Sequence, residues 1–87
     1  MCKVLIPALL RSQTEGKAEV EAEGTTVGEV IRHLDVRFPG LAERLLQDQR
    51  LRPGLGVAVD GEISHRGLRE PVRPTSEVIF IAAVSGG

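Results

Sequence analysis

The amino-acid sequence predicts an α+β fold in which a mixed β-sheet packs against one main helix. Stretches that alternate apolar and polar residues, typical of half-buried strands, precede a single segment with helical spacing of apolar residues. The last long segment, residues 78–84, is continuously apolar, which is typical of a strand in the middle of a sheet. With 87 residues, the chain is long enough for one small domain.

The first two elements are predicted to be strands that form a hairpin. In residues 2–6, the charge of Lys3 should face water, which places Leu5 on the outer face as well. The positions that this phase turns toward the core are Cys2, Val4 and Ile6. Residues 17–23 alternate alanine or valine with glutamate, so the glutamates form the solvated side of a second strand. Gly16 indicates the turn.

One helix follows. Thr26 and Glu29 have the spacing of a capping box, in which each side chain accepts a hydrogen bond at the start of a helix. Pro39-Gly40 should end the helix. Residues 41–46 are predicted to add one short helical turn, and residues 50–56 to form an irregular loop. The apolar stripe of the helix comprises Val27, Val30, Ile31, Leu34 and Phe38.

The second half of the chain is predicted to supply three strands. Residues 57–59 form a short strand, and Asp60-Gly61 is a strong signal for a tight turn. Residues 62–68 are expected to be a polar edge strand, residues 69–76 a turn, and residues 78–84 the central strand. This order, strand–strand–helix–strand–strand–strand, is that of the β-grasp fold, in which the last strand lies beside the first.

The composition disfavours several functions. The net charge is −1 with no basic block, and only two residues are aromatic, so nucleic-acid binding is not expected. A single cysteine excludes an internal disulfide and a cysteine-based zinc site, and no metal or bound cofactor is expected. We expect no membrane span, no signal peptide and a cytoplasmic location. Any chemistry should therefore involve the backbone or a terminus.

Individual polar residues are predicted to have modest roles. Cys2 should be a buried structural cysteine, and His33 and His65 should be solvated. Several arginines could collect near one edge and pair with an acidic partner, although they could equally be solvated loop residues. These arginines are Arg50, Arg52, Arg66, Arg69 and Arg73.

The C-terminal sequence carries a resemblance to a known family. A terminal Gly86-Gly87 pair arises by chance in roughly 0.5% of chains at ordinary glycine usage, and here it follows a predicted central strand. Residues 76–87 resemble the ending of the ThiS/MoaD family of ubiquitin-like sulfur carriers. Residues 4–11 are similar to the start of the members that serve cysteine synthesis, the CysO type.

The resemblance implies that this chain is a carrier and not an enzyme. An E1-like adenylating enzyme, similar to MoeB or ThiF, would activate the Gly87 carboxylate with ATP. A sulfur donor such as a sulfurtransferase would convert the adenylate to a thiocarboxylate. A synthase would accept the sulfur, and it could be CysM-like, ThiG-like or the large subunit of molybdopterin synthase. The recipient pathway stays open among cysteine, molybdopterin, thiamin and sulfur-containing natural products.

The physical chemistry of the tail fits this role. A terminal carboxylate is ionised at neutral pH and a poor electrophile, so it must be activated before sulfur replaces oxygen. The chain is predicted to be a single domain over residues 1–87, with residues 84–87 as an extended flexible tail. Such a tail would reach roughly 13–14 Å. Val84, Ser85 and Gly86 would thread into the partner, and Gly87, as the last residue, is expected to need no proteolytic trimming.

The sheet phase predicts where a partner docks. Val78 and Phe80 should face the helix, which leaves the alternate residues of the last strand on the outer face. The residues predicted to form this partner-binding patch are Leu5, Ala58, Ile79, Ile81 and Ala83. An apolar patch on an open sheet face is typical of an interface, although a loop could also cover it.

Two alternatives to the sulfur carrier remain open from the sequence. A ubiquitin-like modifier would use the same activated Gly87 to form isopeptide bonds with lysines of other proteins. A β-grasp interaction module with an inert tail would use only its surface.

Overall fold

A computed structural model of the chain describes residues 1–82, in which five strands form one mixed sheet. The strand order is β2-β1-β7-β5-β6. β1 and β7 pair in parallel, and the other neighbouring strands of this sheet pair antiparallel. The last strand therefore lies beside the first, in the centre, as predicted. The strands of this sheet are β1 (Cys2–Leu5), β2 (Glu19–Ala22), β5 (Leu55–Val59), β6 (Glu62–Ile63) and β7 (Glu77–Ala82).

The remaining elements cover one face of this sheet. The main helix, α1 (Val27–Arg37), is followed by the short helix α2 (Leu41–Leu45). A small separate hairpin joins β3 (Leu46–Gln47) to β4 (Arg50–Leu51). Two 3-10 helices, Ala8–Thr14 and Gly67–Arg69, occupy loops. The predicted α+β class, with one main helix on one sheet face, is confirmed.

The core lies between α1 and the inner face of the sheet. Its strand residues include Cys2, Val4 and Ile6 of the first strand region, and Val78 and Phe80 of β7, all of which are buried. The predicted phase of both strands is therefore confirmed. The predicted apolar stripe of the helix is also buried, at Val27, Val30, Ile31, Leu34 and Phe38.

The start of α1 departs from a standard capping box in one contact. The Thr26 hydroxyl accepts a hydrogen bond from the Glu29 N–H at 3.2 Å, as the sequence predicts. The Glu29 carboxylate instead accepts from the N–H and the hydroxyl of Thr25, both at 2.9 Å. These two hydrogen bonds lower the pKa of Glu29, which keeps a negative charge in the first turn of the helix.

The bounds of several predicted strands are wrong; the first strand, for example, ends at Leu5 and not at Ile6. The strand predicted over residues 17–23 spans Glu19–Ala22, and Ala18, expected in the core, is exposed because it precedes the strand. The edge strand predicted over residues 62–68 ends after Ile63. Beyond it, the Ser64 hydroxyl donates to the Glu70 carboxylate at 2.6 Å, which turns the chain away from the sheet.

The segment predicted as an irregular loop contains a hairpin and the start of a strand. β3 and β4 pair around Asp48 and Gln49, whose φ angles are 54° and 63°. Both angles are positive, as in a type I′ turn, where glycine or asparagine is the usual signal. β5 then begins at Leu55, two residues earlier than the strand predicted over residues 57–59.

Side chains of α1 bind the open edge of β2. The Glu23 N–H donates to Nδ1 of His33 at 3.1 Å, and the Arg37 guanidinium donates to the Glu21 carbonyl. His33 is half-buried, so the expectation that it is solvated is wrong. These contacts satisfy backbone groups that an edge strand otherwise presents for pairing with another chain.

Candidate functional site

One row of side chains crosses the outer face of the sheet and takes one residue from each strand. The register places Glu19 beside Leu5, Leu5 beside Ile79, Ile79 beside Ala58, and Ala58 beside Ile63. Residues directly paired across neighbouring strands share a face of the sheet. All residues of this row except Glu19 are apolar, and the row lies on the face of the sheet that points away from the helix.

The exposure of these residues varies. Ile63 is 67% exposed and Ile81, the next outward residue of β7, is 39% exposed. Leu5 and Ile79 are half-buried. Ala58 is only 6% exposed, because its small side chain sits between Ile63 and Ile79. We call these five residues the outer apolar face; its most accessible atoms belong to Ile63 and Ile81.

Ile63 is the member that the sequence prediction missed. It was assigned to a polar edge strand, whereas it pairs with Ala58 through the two-residue turn at Asp60-Gly61. A two-residue turn fixes the register of the strands on either side, so the Asp60-Gly61 signal implies that Ala58 and Ile63 share a face. The turn signal was therefore sufficient to place Ile63 on this surface.

An acidic border lies along one end of the outer apolar face. The next row across the sheet reads Glu21, Lys3 and Glu77, and Lys3 also forms an ion pair with Glu19 at 3.9 Å. Three glutamates, Glu19, Glu21 and Glu77, thus occupy strand positions next to Lys3. This border favours a partner whose apolar contact surface is flanked by basic side chains.

The start of β7 is anchored to the turn between β5 and β6. The Asp60 carboxylate accepts from the Glu77 N–H and from the Ser76 hydroxyl, both at 2.9 Å. The Asp60 N–H in turn donates to the Glu77 carbonyl at 2.9 Å. The hydrogen bonds to its carboxylate, above all that from the Glu77 N–H, lower the pKa of Asp60. β7 therefore begins at a fixed position, with β1 and β5 paired along its two edges.

The predicted reactive and threading residues follow this anchored strand. β7 ends at Ala82, whose partner across the sheet is Leu55. Ala83 of the predicted patch, the threading residues Val84, Ser85 and Gly86, and the predicted adenylation site Gly87 all lie outside the described residues. Within the described part, the chain runs from the start of β7 along the outer apolar face toward them.

The other predicted features are placed as follows. Cys2 is buried, and its thiol donates to the Ala22 carbonyl at 3.3 Å. Burial raises the pKa of the Cys2 thiol, which disfavours the reactive thiolate, and the prediction of a structural cysteine is confirmed.

His65 is exposed. In residues 1–82, no group of three or more histidine, cysteine, aspartate or glutamate side chains is placed to hold a metal ion. None of the helices in this part of the chain is long and apolar enough to cross a membrane.

Solved structures with this fold are found among named carriers. The chain is 34% identical to one protein in the crystal structure of the BexX/CysO complex of Amycolatopsis orientalis. The TM-score is 0.93, and the match covers 100% of both chains. It is 30% identical to the CysO of Mycobacterium tuberculosis in a crystal structure that gives a TM-score of 0.89, with coverage of 97% and 100%. The β-grasp arrangement is thus shared along the whole described chain.

Sequence comparison gives the same family. The sulfur carrier protein CysO of Mycobacterium tuberculosis is 33% identical over 89 residues, which cover 97% of this chain and 96% of that protein. The small archaeal modifier protein 3 of Haloferax volcanii is 33% identical over 67 residues, which cover 75% and 73% of the two chains. The profile of the ThiS family matches residues 4–87. The chain therefore belongs to the ThiS family.

Proposed function

We propose that this chain is a sulfur carrier that is activated at the carboxylate of Gly87. The observation that carries the proposal is the match to the ThiS family over residues 4–87, which includes Gly86 and Gly87. An adenylating enzyme of the E1 type would join this carboxylate to AMP from ATP, with release of pyrophosphate. A sulfur donor such as a sulfurtransferase would supply hydrosulfide, which attacks the acyl carbon, forms the C–S bond and displaces AMP, so that the chain ends in a thiocarboxylate. The chain itself is acted on and does not catalyse these steps.

The described residues would supply recognition in this reaction. An acyl-adenylate is easily hydrolysed, so the end of the chain must be held in a closed partner site while sulfur is added. The outer apolar face includes Ile79 and Ile81 of the strand that leads to that end, and its exposed Ile63 and Ile81 would offer apolar surface to the partner. The anchoring of β7 by Asp60 fixes the direction in which the strand approaches the partner.

The proposed acceptor of the sulfur is a biosynthetic synthase. The relatives from Mycobacterium tuberculosis and Amycolatopsis orientalis carry the name CysO, and the second was solved in a complex with BexX. The CysO relatives favour a CysM-like acceptor over the large subunit of molybdopterin synthase or a ThiG-like thiamin enzyme. Because the proposed activation uses ATP, we place it in the cytoplasm.

Mass spectrometry of the intact protein tests the carrier function. The purified chain is incubated with its adenylating enzyme, ATP and sulfide. We expect the mass increase of one sulfur-for-oxygen exchange, located by fragmentation at Gly87. Gly87→Val should give no increase, because a branched side chain shields the carboxyl carbon from attack. Val36→Ala, at an exposed position of α1 far in sequence from the tail and away from the outer apolar face, is the control and should react normally. A normally adenylated Gly87→Val variant would contradict the proposal.

A second candidate is a protein modifier, favoured by the 33% identity to small archaeal modifier protein 3. The modifier would use the same adenylated Gly87 to form an isopeptide bond with a lysine of another protein. The protein isolated from its native host distinguishes the two candidates. Thiocarboxylate without lysine adducts indicates a carrier, lysine adducts at Gly87 indicate a modifier, and neither product indicates an interaction module with an inert tail.

A further inference from the structure

Two adjoining clefts lie on the helix side of the domain, away from the outer apolar face. They run between the β3–β4 hairpin, the 3-10 helix Gly67–Arg69 and the first turns of α1, and they have volumes of about 500 and 590 Å³. The two clefts share Gln49, Leu68 and Arg69, so they form one continuous surface. We call this surface the basic cleft.

Positive charge dominates the basic cleft. Four exposed arginines line it against a single carboxylate, that of Glu29, whose oxygen already accepts two hydrogen bonds from Thr25. The guanidinium groups of these four arginines make no hydrogen bond or ion pair with any group in residues 1–82. The four are Arg32, Arg50, Arg66 and Arg69.

Three other arginines of the domain make structural hydrogen bonds. Arg11, Arg37 and Arg52 each donate a side-chain N–H to a backbone carbonyl and thereby hold loops and strand edges in place. The arginines of the basic cleft make no such hydrogen bond in residues 1–82. The exposed Arg44 and Arg73 make none either, but they lie apart in other clefts, whereas four arginines line the basic cleft together.

The floor of the basic cleft is apolar. Leu46, Leu51 and Leu68 line it, are half-buried and pack against the main core. Arginines around a partly exposed apolar floor resemble the composition of protein interfaces, in which arginine is enriched and binds carboxylates through two parallel hydrogen bonds.

From these observations, we propose that the basic cleft binds an acidic segment of a partner protein, with carboxylates on the arginines and apolar side chains on the leucine floor. Nucleic acid is a poorer fit, because the net charge of the chain is −1 and its two aromatic residues, Phe38 and Phe80, are buried and cannot stack on bases. The proposal goes beyond sulfur transfer and does not depend on the chemistry at Gly87.

Site-specific crosslinking in the native host tests the proposal. A photoreactive amino acid replaces His65, an exposed residue at the rim of the cleft, and mass spectrometry identifies the crosslinked segment. A synthetic peptide of that segment is then titrated into the full chain. We expect an acidic segment whose affinity falls about tenfold or more in a variant with Arg50, Arg66 and Arg69 changed to glutamine. The affinity should also fall with added salt.

Matched variants separate this site from general electrostatic attraction. Arg44 and Arg73 are exposed, make no side-chain hydrogen bond in residues 1–82 and lie outside the cleft, so changing both to glutamine should leave the peptide affinity unchanged. An equal loss in this control would overturn the proposal. Crosslinks only to nucleic acid, only to a second copy of the chain or only to a segment without acidic residues would overturn it as well.

Discussion

The outer apolar face leads to a prediction that separates docking from folding within one strand. Ile63→Glu together with Ile81→Glu places two carboxylates on the outer face. Phe80→Ala removes a ring that is 2% exposed, on the helix side of the same strand. We expect the first variant to keep its fold and lose affinity for the adenylating enzyme, and the second to lose stability.

The expected magnitudes follow from the exposure of these side chains. Full burial of an isoleucine side chain stabilises by about 1.5–3 kcal/mol. Because Ile63 is 67% exposed and Ile81 is 39% exposed, a partner that covers both would gain roughly 1.6–3.2 kcal/mol. Loss of that contribution weakens binding about 15- to 200-fold, and desolvation of the new carboxylates adds to the loss. Phe80→Ala should cost about 3–5 kcal/mol, out of roughly 4–13 kcal/mol for a domain of this length.

Titration calorimetry against the adenylating enzyme and urea unfolding measure the two effects. Val36→Glu is the matched control, because Val36 is 80% exposed but lies on α1, on the other side of the sheet. It should change neither binding nor stability appreciably. Unchanged affinity in the double isoleucine variant would refute docking at the outer apolar face. A loss of stability as large as that of Phe80→Ala would mean that this face is packed within the chain.

Two further predictions concern the elements that position this surface. Hydrogen bonds hold the folded pKa of Asp60 below its ordinary value of 3.8, so its contribution to stability is complete above that value and is lost as the pH falls through the lower folded pKa. In urea unfolding across this range, Asp60→Asn should flatten the pH dependence, whereas Asp48→Asn, whose side chain has no hydrogen bond in residues 1–82, should not. Thr26→Ala removes the cap of α1 and should lower the free energy of unfolding by about 1 kcal/mol, while unchanged stability would show that the Glu29–Thr25 contacts suffice.

Much of the sheet could be predicted because its signals are local. The alternation around Lys3 fixed the phase of β1, and the Asp60-Gly61 turn marked the β5–β6 hairpin with both φ angles positive, at 52° and 84°. The spacing of Thr26 and Glu29 located the start of α1. Each of these signals depends on residues a few positions apart, so no knowledge of tertiary packing was needed.

The missed features depend on contacts that local patterns do not show. The turn of the β3–β4 hairpin has Asp48 and Gln49 at positive φ. Neither residue is glycine or asparagine, so the usual sequence signal for such a turn is absent. The role of His33 follows from its position beside the open edge of β2, ten residues away from Glu23 in sequence. The loop after β1 forms a 3-10 helix that ends at the buried Thr14. The Thr14 hydroxyl donates a hydrogen bond to the Lys17 carbonyl at 2.8 Å.

The arginines are a further case in which the sequence shows which residues are present but not which of them lie together in the fold. Of the five arginines that were expected to collect, Arg50, Arg66 and Arg69 line the basic cleft, whereas Arg52 donates to the Glu43 carbonyl at 2.9 and 2.7 Å. Arg73 lies in a different cleft, near Asp60. Composition identified the charges, but only the fold separates those with structural partners from those without.

The placement of the two surfaces has a consequence for a carrier. A C-terminal carboxylate can occupy only one partner site at a time, so under the proposed function the proteins that need the end of the chain would exchange on the outer apolar face. The basic cleft shares no residue with that face and lies on the opposite side of the sheet. A protein bound there could therefore remain bound while the activating enzyme and the acceptor exchange. Because the two sites are separate, the binding losses from substitutions in both should add, and strong non-additivity would mean that one partner spans both surfaces.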